Sequence, residues 1–339
     1  MANTVVKDKP IVEEKKQSLV AGLDINQIVK KAQEFYGKDK GLAKQIATGK
    51  SIVRPTKDDD FILWQGGDFW FELTKVKGIP FGRFIEIAGL ADVGKSTLGS
   101  QFMVYAQKQG YFVILADTEQ KFQSTRYDEQ MGGNSSNLLI VDSNSIINVC
   151  KGVAYLVKTI KEQNKDAKIL IVLDSLGAGL NSSEQEDTSE DMSRQPGATA
   201  KEITWCFKKW ARLINEYQNR ETGEHSISVL VINQVYAKIG FMQSGYKSKG
   251  GSSIEYMPSL RLMLSKKKEL TRIKGGKKLK YGIVSRVKIV KNHLFDGSDS
   301  LAEADVVVSA SGIELMENIK KKDADVEGWD EKDVDDGEE

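Results

Sequence analysis

The sequence predicts an α/β fold with a mostly parallel central sheet flanked by helices. Short, uninterrupted apolar runs alternate with segments of helical periodicity from about residue 79 to 313. These runs are "YFVILADTE", "NLLIVDS", "KILIVLDS" and "SVLVINQ". Strands that are apolar on both sides need helices on both faces of their sheet, which favours parallel pairing. With 339 residues, 40% of them hydrophobic, the chain can bury a core of this size.

The composition indicates a soluble protein of a reducing compartment. The sequence contains two cysteines and neither a signal-peptide pattern nor an apolar span of 18 residues. We therefore expect a cytoplasmic protein without a membrane segment, and with two histidines we do not expect a zinc site. The net charge of +1 is unevenly distributed. Residues 323–339 contain ten acidic residues and one lysine, so the rest of the chain is strongly basic.

The chain divides into four predicted parts, 1–40, 41–78, 79–318 and 319–339. The first contains apolar residues at helical spacing, namely Ile25, Ile28, Val29, Ala32 and Phe35. The second is rich in aromatic residues and connects to the main domain, 79–318. The last is acidic, and its self-repulsion predicts disorder.

The stretch "GLADVGKS" at 89–96 matches the pattern G-x-x-x-x-G-K-[ST] of a phosphate-binding loop. Glycines allow successive backbone N–H groups to surround phosphate oxygens, and the following helix contributes its positive end. Lys95 would reach the β- and γ-phosphates, and the Ser96 hydroxyl would bind Mg²⁺. The alternative is a tight strand-to-helix turn that matches the pattern by chance. The apolar run before the loop and the helical pattern after it favour the phosphate loop.

Two further strand ends carry acidic residues. Asp174 follows the run "KILIVL", where a second Mg²⁺ ligand is expected; the alternative is that it only caps the next helix. Glu119, in "ILADTEQ", could orient and deprotonate a water that attacks the γ-phosphate. Its alternative role is that of a solvated side chain at a strand end.

These motifs, in this order, resemble the RecA-type homologous recombinases of bacteria and phages. The similarity runs from about residue 24 to 313 through "GIPFGRFIEIAG", "ADTE", "LIVLDS", "VLVINQVYAKIG", "KGGSSIEYMPSLRL" and "RVKIVKN". The resemblance implies a RecA-like phosphate-loop ATPase core that uses ATP and Mg²⁺. It also implies that residues 1–40 mediate polymerisation and that the nucleotide contacts are Gly89, Asp92, Val93, Gly94, Lys95, Ser96, Thr97 and Asp174.

Further roles follow from the resemblance alone. Glu119 matches the family's catalytic glutamate, and Gln234 matches the glutamine that senses the γ-phosphate. Tyr127 resembles the aromatic residue that stacks on adenine, although an aromatic residue there could also pack on the sheet. Lys291 matches one of two lysines that reach the neighbouring subunit's ATP site, whereas His293 replaces the second. A neutral imidazole would supply less positive charge to the transition state.

Two DNA-binding loops are predicted, at about 181–197 and 236–252. The second mixes basic and aromatic residues among glycines, a composition suited to phosphate contacts and base stacking, although a flexible surface loop could have it too. The candidate DNA contacts are Met192, Arg194, Lys238, Phe241, Met242, Tyr246, Lys247, Lys249, Gly250 and Gly251.

The resemblance implies an ATP-dependent recombinase that forms helical filaments on single-stranded DNA and exchanges that strand into homologous duplex DNA. The alternatives are a hexameric DNA motor or helicase with the same core, and a mediator that binds DNA without useful ATP turnover. The compact domain that follows the core in bacterial relatives is expected to be reduced or missing here. The acidic tail could contact a single-strand-binding or mediator protein, compete with DNA for the basic core, or act only as a solubility tail.

Overall fold

A computed structural model of the chain describes residues 25–35, 55–176, 198–219, 222–237, 246–248, 253–274, 277–295 and 303–316. The chain divides into two compact units, Met1–Arg54 and Pro55–Glu339. In the first unit, helix α1 (Ile25–Phe35) is the predicted amphipathic helix. Its apolar side chains Ile28 and Phe35 are exposed, whereas Val29 and Ala32 are half-buried.

The second unit is built on one large sheet, which confirms the predicted α/β class. Its strands are β3 (Phe84–Gly89), β4 (Phe112–Asp117), β5 (Leu138–Asp142), β6 (Ile169–Asp174), β7 (Ile227–Ala237), β8 (Tyr246–Ser248), β9 (Leu260–Lys274), β10 (Lys277–Asn292), β11 (Glu303–Ser309) and β12 (Gly312–Leu315). The strand order is β12-β11-β10-β9-β3-β7-β6-β4-β5, and β8 pairs with β7. Pairing is parallel from β9 to β5 and antiparallel from β9 to β12.

Helices cover the parallel strands on both faces. The helices of this unit are α2 (Phe69–Thr74), α3 (Lys95–Lys108), α4 (Ile146–Gln163), α5 (Ala198–Glu216) and α6 (Ser253–Tyr256). Successive strand residues alternate between two buried clusters because side chains of a strand point to opposite faces. Val113 and Leu115 of β4 join the cluster of α3, whereas Ile114 and Ala116 join the cluster of α4 and α5. Among the residues with described placement, no helix is long and apolar enough to span a membrane.

The aromatic segment that precedes the sheet packs onto α3. Strands β1 (Phe61–Leu63) and β2 (Gly78–Pro80) pair antiparallel and flank α2. The ring centroids of Trp64 and Trp70 lie 5.2 and 4.6 Å from that of Phe102 on α3. Residues from Pro55 onward therefore belong to the same compact unit as the sheet. The sequence pattern changes at residue 79. That a domain begins there stays a prediction.

The parallel strands bring four predicted motifs to one edge of the sheet. Gly89 at the end of β3 is in register with Gln234 of β7, and Asp117 at the end of β4 is in register with Asp174 of β6. The carboxyl edge of a parallel sheet is where α/β proteins bind ligands. The fold therefore assembles a candidate site from motifs that are up to 145 positions apart in the sequence.

Candidate nucleotide-binding and catalytic site

The stretch 89–96 forms a tight turn that ends β3 and begins α3 at Lys95. Asp92 and Gly94 adopt left-handed backbone conformations, with φ of 55° and 94°. A Cβ atom on Gly94 would lie 2.7 Å from Val308 Cγ2, so glycine is required there by both conformation and space. The hydroxyl of Ser285, a buried residue on β10, donates to the Val93 carbonyl at 2.9 Å and so holds the turn against β10.

Lys95 is buried and lies among acidic groups. Its Nζ donates to the Leu90 carbonyl within the same turn. Burial lowers the pKa of Lys95, while the nearby charges of Asp174, Glu119 and Asp92 act to raise it. The ammonium group is thus held at the mouth of the turn, beside the backbone that would surround phosphate oxygens.

Ser96 and Asp174 form the pair that the sequence predicts as Mg²⁺ ligands. Burial raises the pKa of Asp174 to about 6, although the hydrogen bond between its carboxylate and the Ser96 side chain acts to lower it. A poorly solvated carboxylate beside a hydroxyl offers the oxygen ligands that Mg²⁺ prefers, and it would gain from a bound cation. Within the described ranges, no group of three or more His, Cys, Asp or Glu side chains could hold a metal. Mg²⁺ usually binds through one or two carboxylates, several waters and the phosphates of its nucleotide, which fits this pair.

Glu119 is held by three side chains: Lys121 of the same turn, Ser175 at the end of β6 and Gln234 of β7. Its Oε1 accepts hydrogen bonds from Ser175 Oγ at 2.5 Å and Gln234 Nε2 at 2.7 Å, and its Oε2 pairs with Lys121 Nζ at 2.8 Å. Burial acts to raise the pKa of Glu119, but the hydrogen bonds from Lys121, Ser175 and Gln234 outweigh it and lower that pKa. Glu119 is therefore a carboxylate at neutral pH, fixed next to Lys95. Its side chain is 16% exposed and not a freely solvated strand-end group.

The turn that carries Glu119 is organised by Asp117. This buried carboxylate accepts hydrogen bonds from the backbone N–H groups of Glu119, Lys121 and Phe122 at 2.9 to 3.2 Å. The Thr118 hydroxyl donates to the Ser175 carbonyl at 2.5 Å and ties this turn to the end of β6. The sequence did not identify these roles: that of Ser175 depends on the neighbouring strand β6, whereas Lys121 and Asp117 act within the turn itself, where their short spacing was a usable signal.

A cleft of about 350 Å³ adjoins the turn at 89–96. It is lined by Asp92, Gly94, Thr97, Arg126, Lys280, Tyr281, Gly282, Ile283, Val308, Ser309 and Ala310. Arg126 Nη2 donates to Thr97 Oγ1 at 3.0 Å. The cleft offers an arginine, a tyrosine and backbone next to the candidate phosphate position, which suits the remainder of a nucleotide. Arg126 and Tyr281 were not predicted, although the position of Arg126 next to Tyr127 was a usable signal.

Tyr127 packs inside the protein. Its side chain is buried, its ring lies 5.5 Å from that of Phe122, and its hydroxyl donates to Gln107 at 2.8 Å. Burial raises the pKa of Tyr127 above its ordinary range. In this structure Tyr127 therefore packs in the protein interior, as the alternative interpretation expected. Stacking of Tyr127 on adenine stays a prediction, and it would require the side chain to leave this buried position.

The structure does not bring Lys291 and His293 to this chain's phosphate turn. Lys291 on β10 is in register with Arg261, which is in register with Glu86 of β3, three residues before Gly89. Its Nζ donates to the carbonyls of Glu255 and Tyr256 at 3.3 and 3.0 Å. His293 is exposed, and its role, like that of Lys291, stays a prediction.

Most of the predicted DNA contacts lie outside the described residues: Met192, Arg194, Lys238, Phe241, Met242, Lys249, Gly250 and Gly251. The acidic tail, 319–339, also lies outside them. The backbones of Tyr246 and Lys247 form β8, which pairs with Tyr236 and Ala237 at the end of β7. Glu119 thus contacts, through Gln234, the strand that leads directly into the predicted loop 236–252.

Helix α5 presents a basic and aromatic face that the sequence did not single out. Lys201, Trp205, Lys208 and Arg212 are exposed at helical spacing, immediately after the predicted loop 181–197. Lys209 Nζ lies 5.0 Å from the centroid of the Trp205 ring. The spacing of three and four residues between basic side chains and an exposed tryptophan could have revealed this face.

Most of the chain is similar to proteins of a known family. The family model described as the RecA N-terminal domain matches residues 63–314. Proteins named "Protein RecA" are similar: that of Gloeothece citriformis is 28% identical over 251 residues, covering 74% of this chain and 64% of the relative. That of Ureaplasma parvum serovar 3 is 30% identical over 224 residues, covering 66% of this chain and 61% of the relative. The chain spans less than two thirds of the length of these relatives.

Proposed function

Because the chain belongs to the RecA family, we propose that it is an ATP-dependent homologous recombinase. It would assemble as a helical filament on single-stranded DNA and exchange that strand into homologous duplex DNA. The observation that carries this proposal is the hydrogen bond from Gln234 to Glu119. It joins the candidate catalytic carboxylate to the strand that enters the predicted DNA loop at 236–252.

Each group at the carboxyl edge of the sheet has a defined part in ATP hydrolysis. The backbone N–H groups of the turn at 89–96 and the Lys95 ammonium bind and orient the phosphates. Ser96 and Asp174 would hold Mg²⁺, which when bound neutralises charge on those phosphates. Glu119, ionised and fixed by Ser175, accepts a proton from the attacking water. The cleft lined by Arg126 and Tyr281 takes the rest of the nucleotide.

Gln234 couples the nucleotide to DNA. Its amide donates to Glu119 at 2.7 Å, so a γ-phosphate that competes for this amide would pull the end of β7 towards the nucleotide. The segment after β7 mixes lysines and aromatic residues, which suits the backbone and bases of single-stranded DNA. The exposed face of α5, with Lys201, Trp205 and Lys208, adds the same kinds of side chain.

Assembly and cross-subunit chemistry complete the proposal. The exposed apolar residues of α1, Ile28 and Phe35, suit docking on the next protomer. Lys291 would serve the nucleotide of that neighbour, and His293, two residues further along, would supply weaker electrostatic assistance. Single-stranded DNA, duplex DNA and further copies of the chain are therefore the expected partners, and a protein that binds the acidic tail is a further candidate.

Electron microscopy of the chain with single-stranded DNA and a non-hydrolysable ATP analogue tests the proposal. Helical filaments that require both DNA and nucleotide are expected. Closed rings would favour the motor or helicase, and DNA binding without ordered assembly would favour the mediator; either result would overturn the proposal. A chain without residues 1–40 is the control, and it should bind nucleotide but remain largely monomeric in sedimentation.

A further inference from the structure

Lys121 is an exposed lysine in the candidate site, beside the candidate general base. Its Nζ donates to Glu119 Oε2 at 2.8 Å, which is the only hydrogen bond of this ammonium group within the described residues. The Lys121 side chain is 77% exposed, whereas that of Glu119 is 16% exposed. Ion pairs with so exposed a partner contribute little to folding stability. Stability alone therefore does not account for a lysine at this position.

The turn after β4 holds Lys121 at both ends of the residue. Gln120 has a left-handed backbone conformation, with φ of 54°, which is uncommon for a residue other than glycine. The backbone N–H of Lys121 donates to Asp117 Oδ2 at 2.9 Å, and its ammonium group returns to Glu119. The turn therefore determines where the ammonium group lies.

Two lysines approach the same group of carboxylates. The hydrogen bond and charge of Glu119, followed by the charges of Asp174 and Asp92, raise the pKa of Lys121. Burial lowers the pKa of Lys95, and the charges of these same three carboxylates act against that decrease. Charge effects weaken with distance, so both ammonium groups lie close to this group. Lys95 is buried and Lys121 is exposed, so the two lysines approach the candidate phosphate position from the interior and from the solvent.

A nucleoside triphosphate adds negative charge to a site that is already rich in carboxylates. Its γ-phosphate would lie near the ionised Glu119, and two anions so close together repel each other. Cations that contact the transferred phosphoryl group offset this repulsion and stabilise the charge of the transition state. The Lys121 ammonium lies where such a cation is needed on the solvent side.

The ammonium group of Lys121 can contact Glu119 and a phosphate together. It has three N–H donors, and Glu119 takes one of them. Oε1 of Glu119 already accepts hydrogen bonds from Ser175 and Gln234 at 2.5 and 2.7 Å. Oε2, whose only partner in the described part of the chain is Lys121, is thus the oxygen available to accept a proton from water. Water that is activated there lies next to the Lys121 ammonium.

We propose that Lys121 is a catalytic residue that binds a γ-phosphate oxygen of its own chain's nucleotide while it stays paired with Glu119. The γ-phosphate then lies between two lysines of one chain, Lys95 on the interior side and Lys121 on the solvent side. The inference rests on the proposed function, because it adds a residue to the same hydrolytic site. It gives each protomer a cation of its own on the solvent side, in addition to the Lys291 that a neighbour would supply.

The test separates a contact with the γ-phosphate from the placement of Glu119. In the full chain, K121M removes the charge and K121R keeps it. The matched control is K57M, because Lys57 is 73% exposed and pairs at 3.3 Å with Glu224, which precedes β7 and so lies at the opposite edge of the sheet. Affinities for ADP and for a non-hydrolysable ATP analogue are measured by calorimetric titration with Mg²⁺ and without DNA. ATP turnover is measured with single-stranded DNA.

K121M should bind the ATP analogue about tenfold or more weakly, because a hydrogen bond between charged groups is lost. Its affinity for ADP should change little, since ADP lacks the phosphate that Lys121 contacts. Turnover by K121M should fall by about 10²-fold, as expected when one donor to the developing charge is removed. K121R should recover most of the affinity for the ATP analogue, and K57M should match the unaltered chain in all three measurements.

Equal losses of affinity for ADP and for the ATP analogue would overturn the proposal, because the whole site would then have loosened. Slower turnover with an unchanged preference for the ATP analogue over ADP would overturn it too, since Lys121 would then act only through Glu119. Unchanged turnover and affinity would leave a surface ion pair, and faster turnover would mean that Lys121 restrains Glu119; either result would overturn the proposal. The proposed function is judged separately: it fails if the unaltered chain forms no filaments on single-stranded DNA, whatever K121M does.

Discussion

The parallel and antiparallel halves of the sheet differ in how far their charged side chains are buried and paired or exposed and unpaired. In the parallel half, ionisable side chains such as Lys95, Glu119 and Glu86 are buried or nearly so, and each has identified partners. In the antiparallel half, basic side chains of β9 and β10 such as Arg272, Lys277 and Lys278 are exposed, and these three have no acidic partner within 4 Å among the described residues. Burying a charge is costly unless it is paired. The buried pairs of the parallel half therefore fix the positions of site side chains, whereas the exposed cations of the antiparallel half produce a positive electrostatic potential at the surface.

Glu86 shows how far this pairing extends. Its side chain is fully buried on β3, where it accepts a hydrogen bond from Asn233 Nδ2 at 2.9 Å and pairs with Arg261 of β9. Asn233 precedes Gln234, which contacts Glu119. One carboxylate therefore connects the strand of the phosphate turn to the strand of the candidate sensor and to the edge of the antiparallel half.

The largest effect is expected from Glu119→Gln. The amide keeps the shape of the side chain but cannot accept a proton from water, so ATP turnover should fall by about 10² to 10⁴-fold. Nucleotide and DNA binding should persist. Turnover and nucleotide affinity are measured side by side, with Glu129→Gln, an exposed carboxylate of the same segment, as the control. Unchanged turnover would remove Glu119 from the chemistry.

Breaking one ion pair in each half tests the comparison directly. Arg261→Met leaves the Glu86 carboxylate buried without its cation and should destabilise the fold by about 3 to 5 kcal/mol. Arg286→Met breaks the Arg286 pairs with Asp305 and Glu303, which are more exposed, and should cost about 1 kcal/mol or less. Urea denaturation of both variants measures the difference. Equal losses would show that the two halves do not differ in how they use charge.

Lys95→Ala should act on binding more than on turnover. It removes a charge-assisted hydrogen bond to phosphate, worth about 2 kcal/mol, which corresponds to roughly 30-fold in nucleotide affinity. Calorimetric titration with an ATP analogue measures the loss. The control is Lys108→Ala at the other end of α3. If both variants bound nucleotide equally well, the turn at 89–96 would not be a phosphate site.

The smallest effect is expected from ending the chain at Lys322. The removed segment carries ten acidic residues and one lysine and should compete with DNA for the basic surface of the core. Its removal should raise duplex affinity at low salt by about 1 kcal/mol, or roughly fivefold. The gain should shrink as salt rises and should be smaller for single-stranded DNA, whose stacking contacts are not electrostatic. Equal affinities at every salt concentration would leave the tail as a solubility segment.

Local sequence patterns determined much of the parallel half. Uninterrupted apolar runs predicted β4 to β7. The stretch "GLADVGKS" predicted that a strand ends in a turn and that a helix follows, and the helix begins at Lys95, directly after Gly94. The acidic strand ends Asp174 and Glu119 could be placed near the same edge because parallel strands end together. These are short-range signals, since the period of a strand and the conformational demand of a glycine are set within a few residues.

Contacts between distant segments were decided only by the tertiary structure. The hydrogen bond of Ser175 to Glu119, that of Ser285 to Val93 and the burial of Tyr127 depend on which strands become neighbours and in what register. Strands β9 and β10 show the same limit, because their lysines are visible in the sequence, whereas the extension of β9 beyond β3 and of β10 beyond β11 is not. A sequence states which charges and shapes a segment has. Pairing across 50 to 200 positions determines which are neutralised in the interior and which remain at the surface for a ligand.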